Sequence, residues 1–480
     1  MIRKTHLPYI ITLLLFFTFS SCKKLDEKPL GFVEPKDFYN TPTQIIAAYT
    51  ASMQGLWENW SGYQYPGILY FINDDQLRGG NLVIPNNFAA DLWARHYSSI
   101  SNVNAAIAAI KRGNLGSTIS QTETDQLMGQ GEFIRAWNYF MLVRLWGDIP
   151  LISDDTPDPI QNPPSRTPVA DVYKSIVTDL LDAAAKLPVT WPADQSTRPT
   201  RDAAKGMLAK VYLTMATAPL NQTENYAKAA DMAKQVMDAG TYSLIHDIDK
   251  VFTVDSRYGP EVMFTFTANY ADQTMNGQAW YPPMLGGWAN YTVESAWGET
   301  YPETPRKDAY LLTYIDGVKY TNWPGSNSPF IKKYMYSSAS DYDAYRSIIV
   351  MPILRFADVV LAFAEADNMA NGAPTPEAVA ALNSIIDRAN GYVSNPNHPL
   401  ATTAMTKIGF DTTVIEERNQ ELCFELGDRW FDLVRKRIVK QKNLPFYQQN
   451  FTDDDYLYPI PDNEIRLNPE ITQNPGYTLP

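Results

Sequence analysis

Residues 200–240, TRDAAKGMLAKVYLTMATAPLNQTENYAKAADMAKQVMDAG, hold the pattern that decides the fold. Apolar residues recur three or four apart on either side of Ala218-Pro219, which is helical period. The first stretch, 200–217, sets Ala204, Leu208, Ala209, Tyr212 and Leu213 on one face. The second, 223–239, does the same with Tyr226, Ala229, Ala230, Ala233 and Val236. Thr200 and Thr223 are predicted N-caps and Gly240 a C-cap. Small residues among large ones let two antiparallel helices approach closely. The segment reads as one helical hairpin.

The same period extends in both directions. Upstream it covers residues 43–58, 86–111, 122–146 and 168–187; downstream it returns at 351–371, 375–389 and 413–440. Stacked helical pairs of this texture resemble helical-hairpin repeats of the tetratricopeptide (TPR) type, here in degenerate form. The expected fold is therefore mainly α, a TPR-like helical-hairpin scaffold. A loop-rich insertion containing short β-strands interrupts it, with Val262 to Thr267 as one β-prone piece. Long ordered loops on a rigid scaffold usually carry function. After Phe446, the prolines Pro459, Pro461, Pro469 and Pro475 predict an extended tail without helix.

At the other end, Arg3 and Lys4, an apolar run from Ile10 to Phe19 and the small residues Ser20 and Ser21 lead into Cys22. A charged start, a short apolar centre and a small-residue cleavage point describe a secretory signal. Cleavage before Cys22 leaves its thiol to carry lipid, each buried methylene adding about 0.8 kcal/mol of membrane affinity. Cys22 is thus the expected lipidation site, and the lipid the only membrane contact. Cys423 then has no partner for an intramolecular disulfide, and its amphipathic surroundings predict a small buried hydrophobe. The net charge of −13 argues against nucleic acid. The expected organisation is a signal peptide at 1–21, a lipidated tether at 22–40 and the TPR-like scaffold at 41–240. A loop-rich, aromatic-rich ligand-binding region at 241–346, a helical return at 347–445 and the Pro-rich tail at 446–480 complete it.

The chemistry-bearing motifs are few. No HExxH, Walker-type loop, paired CxxC or GxSxG occurs, so no metal, cofactor or catalytic residue is expected. His96, His246 and His398 are scattered and read as satisfied or solvated imidazoles. Asp74-Asp75, Asp154-Asp155 and Asp453-Asp454-Asp455 read as solvated surface, since glycosidase chemistry needs two carboxylates facing each other across a cleft. Aromatic density is the stronger signal. Between Trp280 and Tyr336, 13 of 57 residues are aromatic, about twice the chain average of 12%. More than half should form a small core. The remainder are candidates for flat platforms that stack on sugar rings beside fixed polar groups.

Several stretches together resemble the SusD/RagB family. They begin with CKKLDE at 22–27, GEFIRAWNYFMLVRLWGDIPLI at 131–152 and RTPVADVYKSIVTDLLDAAAKLP at 166–188. They continue with RPTRDAAKGMLAKVYL at 198–213, LRFADVVLAFAEADN at 354–368, ERNQELCFELGDRWFDLVRKR at 417–437 and YPIPDNEIRLNPEITQNPGY at 458–477. Most of these residues read as scaffold; Glu425 with Arg429, and Asp432 with Lys436, are spaced to bridge along one helix. The resemblance implies a lipoprotein of the outer membrane facing the cell exterior. It would bind glycans and deliver them to a TonB-dependent, SusC-like transporter. The alternatives are a peptide-binding member, a surface glycosidase, or a purely structural partner of the transporter. In glycan-binding members the site joins loops near the N-terminal helices to the loop-rich domain, which implicates Asp74, Asp75, Arg78 and Trp93. Trp280, Trp288, Trp297 and Trp323 are the ligand-binding candidates from the aromatic block.

Overall fold

Among the described residues, six helices precede the insertion: α1 (Pro42–Trp60), α2 (Asn86–Lys111), α3 (Gln121–Trp146), α4 (Val169–Lys186), α5 (Arg201–Met215) and α6 (Asn225–Ala239). Each packs on the next in sequence, the stacking order of a TPR-like scaffold. The structure, a computed structural model, describes residues 39–60, 77–78, 86–113, 115–116, 119–157, 159, 161–268, 280–289, 292–335, 347–349, 351–442 and 451–478. The signal, Cys22 and most of the tether lie outside these residues.

The α5–α6 hairpin shows why the stack is tight. Thr200 caps α5, its Oγ1 accepting the Ala203 N–H at 3.1 Å, and Gly240 ends α6 in the left-handed region at φ 65°. Thr223 does not cap α6. Its own N–H is held by the Asn221 carbonyl in the turn after Pro219, and the helix starts at Asn225. Gly206 marks a close crossing on α5. A Cβ there would meet Met263, Val359 and Leu354 side-chain atoms at 3.0 to 3.1 Å.

The insertion and the helical return follow. Strands β1 (Leu77–Arg78), β2 (Val262–Thr265) and β3 (Thr292–Val293) lead to helices α7 (Ser295–Thr300) and α8 (Pro305–Tyr310). Then come β4 (Leu311–Leu312), β5 (Tyr314–Ile315), β6 (Val318–Lys319), β7 (Phe330–Ile331) and β8 (Pro352–Arg355). Among the described residues the strands form two-stranded pairs: β1–β3, β2–β8, β4–β7 and β5–β6. Helix α9 (Phe356–Asn371) resumes the scaffold by packing on α5 and α6, and α10 (Pro376–Ala389) and α11 (Lys407–Glu421) pack on α9. Residues 352–355, expected as helix, are instead the strand β8, because Arg355, Leu354 and Pro352 pair with β2.

The helix expected over 413–440 is also broken. It ends at Glu421 and resumes as α12 (Asp428–Lys436) and α13 (Val439–Lys442), with Phe424, Leu426 and Gly427 all at positive φ between. The break aims Glu425 at Lys333 (2.6 Å) and Arg355 (2.7 Å) and not at Arg429. Asp432 likewise pairs with Arg418 and Arg435, while Lys436 pairs with Glu365 and Asp411. Tertiary partners displace the expected bridges along the helix.

Glu425 belongs to a buried ion cluster that joins insertion to scaffold. Arg355 and Arg388 share Glu261 at 2.5 and 2.6 Å and share Glu421 at 3.1 and 2.8 Å. Arg306 of α8 adds contacts to Glu417 (2.5 Å) and Glu421 (3.1 Å). Three arginines and Lys333 thus face four glutamates, all side chains 3% exposed or less. Near balance is what makes such burial tolerable, since an unpaired ion there would cost several kcal/mol, roughly 3–5 when one partner is lost.

The tail is not wholly extended. It contains a 3₁₀ turn at Asp453–Tyr456 and a short helix, α14 (Asp462–Leu467). Pro461 sits just ahead of the first turn of α14, where a missing N–H does no harm, and Asp462 and Glu464 complement that helix's N-terminal dipole. The tail is fastened to the end of α3: Trp146 Nε1 donates to the Pro459 carbonyl (2.9 Å), and Asn474 Nδ2 donates to the Trp146 and Tyr458 carbonyls. Among the described residues, no helix is long and apolar enough to cross a membrane.

Candidate functional site

The expected junction exists in the backbone. Strand β1 pairs antiparallel with β3, Leu77 opposite Val293 and Arg78 opposite Thr292, so the segment before α2 is joined to the aromatic insertion. Val293 is fully buried and its N–H donates to Pro329 at 3.0 Å. Glu294 then caps α7, its carboxylate accepting the Ala296 N–H. Asp74, Asp75 and the Arg78 side chain lie outside the described residues.

Trp288 is presented by a loop that closes on itself. Trp280 and Tyr281 are buried anchors; Pro282 precedes a 3₁₀ turn at Pro283–Leu285, and Gly286 turns the chain at φ 74°. The Gly287 N–H returns to the Pro282 carbonyl and the Ala289 N–H to the Tyr281 carbonyl, both at 3.1 Å. Gly287 is sterically required, because a Cβ there would lie 2.1 Å from the Tyr281 oxygen. The indole of Trp288 stands out at 45% exposure.

The other tryptophan candidates are core, which corrects the expectation that they are platforms. Trp93 is 2% exposed, meets Trp146 edge-on at 5.2 Å, and lies close to the Glu464 carboxylate of α14. Trp297 packs edge-on against Tyr301 and Phe424, wedging α7 against the break before α12. Trp323 packs with Tyr320 and Phe330 in a small second core, its Nε1 donating to the Val318 carbonyl at 2.8 Å. Trp280 is 3% exposed. A ring enclosed on both faces has none to offer a sugar. Of the eleven described aromatics in the block, only Trp288 and Tyr314 are exposed.

Tyr314 was not among the sequence candidates. It lies on the β5–β6 hairpin, whose Asp316-Gly317 turn has both residues at positive φ, 49° and 76°. Ile315 packs against the small second core, so the alternation of a strand sends Tyr314 outward, to 56% exposure. The Asp-Gly dipeptide between Ile315 and Val318 was the available signal. On the same insertion, Glu299 is bonded by the Tyr320 hydroxyl and by Lys319 at 3.0 Å; these contacts hold its carboxyl below the usual range. It is an acceptor for hydroxyls and a poor proton donor. Exposed aromatic rings, with a surface ion pair on the same insertion, suit stacking and hydroxyl bonding.

The three described histidines have structural partners. His96 Nδ1 lies 2.7 Å from Asn138 Oδ1, and burial pushes its pKa down to about 4. His398 bridges Asn390 and Glu417, and His246 stacks on Tyr392. Among the described residues, no group of three or more His, Cys, Asp or Glu is placed to hold a metal ion.

Comparison with known proteins agrees with this architecture. Residues 21–213 match a family described as starch-binding and associating with the outer membrane, and residues 246–477 match the SusD family. The chain is 27% identical to SusD-like protein P2 of Formosa agariphila over 99% of its own length and 100% of that protein's. A SusD homolog from Bacteroides thetaiotaomicron superposes with a TM-score of 0.77 at 21% identity, covering 92% of this chain and 98% of that one. Surface glycan-binding protein A from Bacteroides fluxus superposes with a TM-score of 0.72 at 20% identity, covering 91% and 100%.

Proposed function

This chain belongs to the SusD family, and we propose that it is a non-catalytic surface lipoprotein that binds glycans and delivers them to a TonB-dependent, SusC-like transporter. The observation that carries the reading is the Trp288 loop, an exposed indole held by a self-closed backbone beside the β1–β3 junction. A rigid ring of this kind binds a sugar face with little ordering cost. Tyr314 adds a second ring, and the Glu299–Lys319 pair offers hydroxyl partners. A structural neighbour named as a surface glycan-binding protein and a matching family described as starch-binding support the ligand class. The lipid on Cys22 keeps the protein at the outer membrane, outside the cell, so the Cys22→Ala form is released as soluble protein.

The test is incubation of the purified protein with a panel of glycans that includes starch and laminarin. Binding without any change in the sugar is the expected outcome. Turnover of a panel member would replace this reading by a surface glycosidase, and absence of both would leave the structural role.

A further inference from the structure

A second ligand site is indicated where the C-terminal tail meets the helical scaffold. A cleft of about 440 Å³ lies between α3, α4, the end of α5, α12 and the tail, and none of its lining residues comes from the insertion. That volume falls in the range of small-molecule sites, roughly 300–1,000 Å³. Its apolar wall includes Val143, Val169, Pro219 and Leu457.

Arg144 gives the cleft its chemistry. The guanidinium is sandwiched between the Phe140 and Phe431 rings, 3.8 and 3.6 Å from their centroids. Nε donates to the Phe140 carbonyl at 3.0 Å and Nη2 meets Met141 Sδ at 2.7 Å. Among the described residues no carboxylate pairs with it, and Nη1 has no protein acceptor. Burial pushes its pKa down to about 10, which leaves it charged at neutral pH. The acids whose charge reaches it, Asp358, Asp428 and Asp432, are each bonded to Lys210, Arg418 or Arg435. A guanidinium held only to brace two phenyl rings would need no open donor.

The remaining charges reinforce the sign. Arg437, at φ 57° on the end of α12, lies over the Tyr456 ring at 4.0 Å and also pairs with no carboxylate among the described residues. Arg166 donates only to carbonyl and amide oxygens. Of the two acids in the lining, Asp148 accepts the Val169 N–H at the start of α4, and Asp453 is exposed on the rim. Arg435, the fourth arginine of the lining, is spent on Glu365 and Asp432, which leaves three arginines against two aspartates, a locally positive cleft on a chain of net charge −13. Such a cleft concentrates anions.

We propose that this cleft binds a small amphipathic carboxylate, its head on Arg144 Nη1 with Arg437 beside it and its apolar body along Val143, Val169 and Leu457. Hexanoate and its neutral isostere hexanamide are the probes, titrated calorimetrically into the full chain. Hexanoate should saturate, and hexanamide should bind about tenfold more weakly or worse, the effect of losing one charged hydrogen bond. Arg144→Gln and Arg437→Gln should each weaken hexanoate binding by a similar factor, and Trp288→Ala should leave it unchanged. Because Arg437 is exposed, its variant keeps the test open even if Arg144→Gln fails to fold. Equal binding of the two probes, no saturation by hexanoate at millimolar concentration, or undiminished binding in a folded Arg437→Gln protein would overturn the proposal.

Discussion

Glu421→Gln removes one negative charge from the buried cluster and keeps the shape of the side chain. Glu421 is fully buried and accepts from Arg388 (2.8 Å), Tyr310 (2.9 Å), Arg355 (3.1 Å) and Arg306 (3.1 Å). The amide turns an acceptor into a donor facing a guanidinium and leaves four cations against three anions. Breaking a buried ion pair from one side costs roughly 3–5 kcal/mol, a large share of a typical total near 5–15 kcal/mol. Urea denaturation followed by tryptophan fluorescence reads the loss. The exposed pair Lys234–Asp238 is the control, where Asp238→Asn should cost at most about 0.5 kcal/mol. The pH dependence carries a second signature. Burial alone would raise the Glu421 pKa; Arg388, Arg355 and Arg306 outweigh it and hold the carboxyl well below the usual carboxylate range. A depressed folded-state value means that this stabilisation is present above the unfolded pKa and lost as pH falls through the folded one. The native protein should therefore lose stability with acid more steeply than the Gln variant. A loss under about 1 kcal/mol, or equal acid slopes, would refute the view that this cluster welds the insertion to the scaffold.

Trp93→Ala should cost roughly 3–5 kcal/mol, while Trp288→Ala should stay within about 0.5 kcal/mol; melting curves in the reverse order would sink the assignment of core and surface. Gly287→Ala must push a Cβ against the Tyr281 carbonyl, so glycan affinity should fall with little change in melting temperature, and full affinity would count against the loop mechanism. Cys423 is fully buried, and desolvation pushes its thiol up to about 11, so iodoacetamide at pH 8 should modify it only on unfolding. Fast labelling of the native protein would contradict that.

The scaffold was legible where structure is local. Helical period alone fixed α2 at Asn86–Lys111 to its residue limits, and Thr200 and Gly240 were readable as caps because capping depends on a few neighbouring atoms. The tryptophans were not legible, because enclosure is a property of partners far along the chain. Trp93 is closed off by Trp146 and by Glu464, and Trp297 by Phe424. The same holds for the charges from Glu417 to Glu425, which look like a solvated helix face yet meet Arg306, Lys333, Arg355 and Arg388. Tyr314 was within reach, through the Asp316-Gly317 turn and the inward-facing Ile315, and aromatic counting weighted tryptophan over it.

The proposed glycan platforms are the exposed rings of the insertion, Trp288 and Tyr314. Their most direct test is calorimetric titration of a glycan retained by the native protein into Trp288→Ala and Tyr314→Ala. Each ring that serves as a platform should cost about 1–3 kcal/mol of affinity when removed, by analogy with base stacking, with melting curves unchanged. Native affinity in both variants would place the glycan elsewhere and contradict the account.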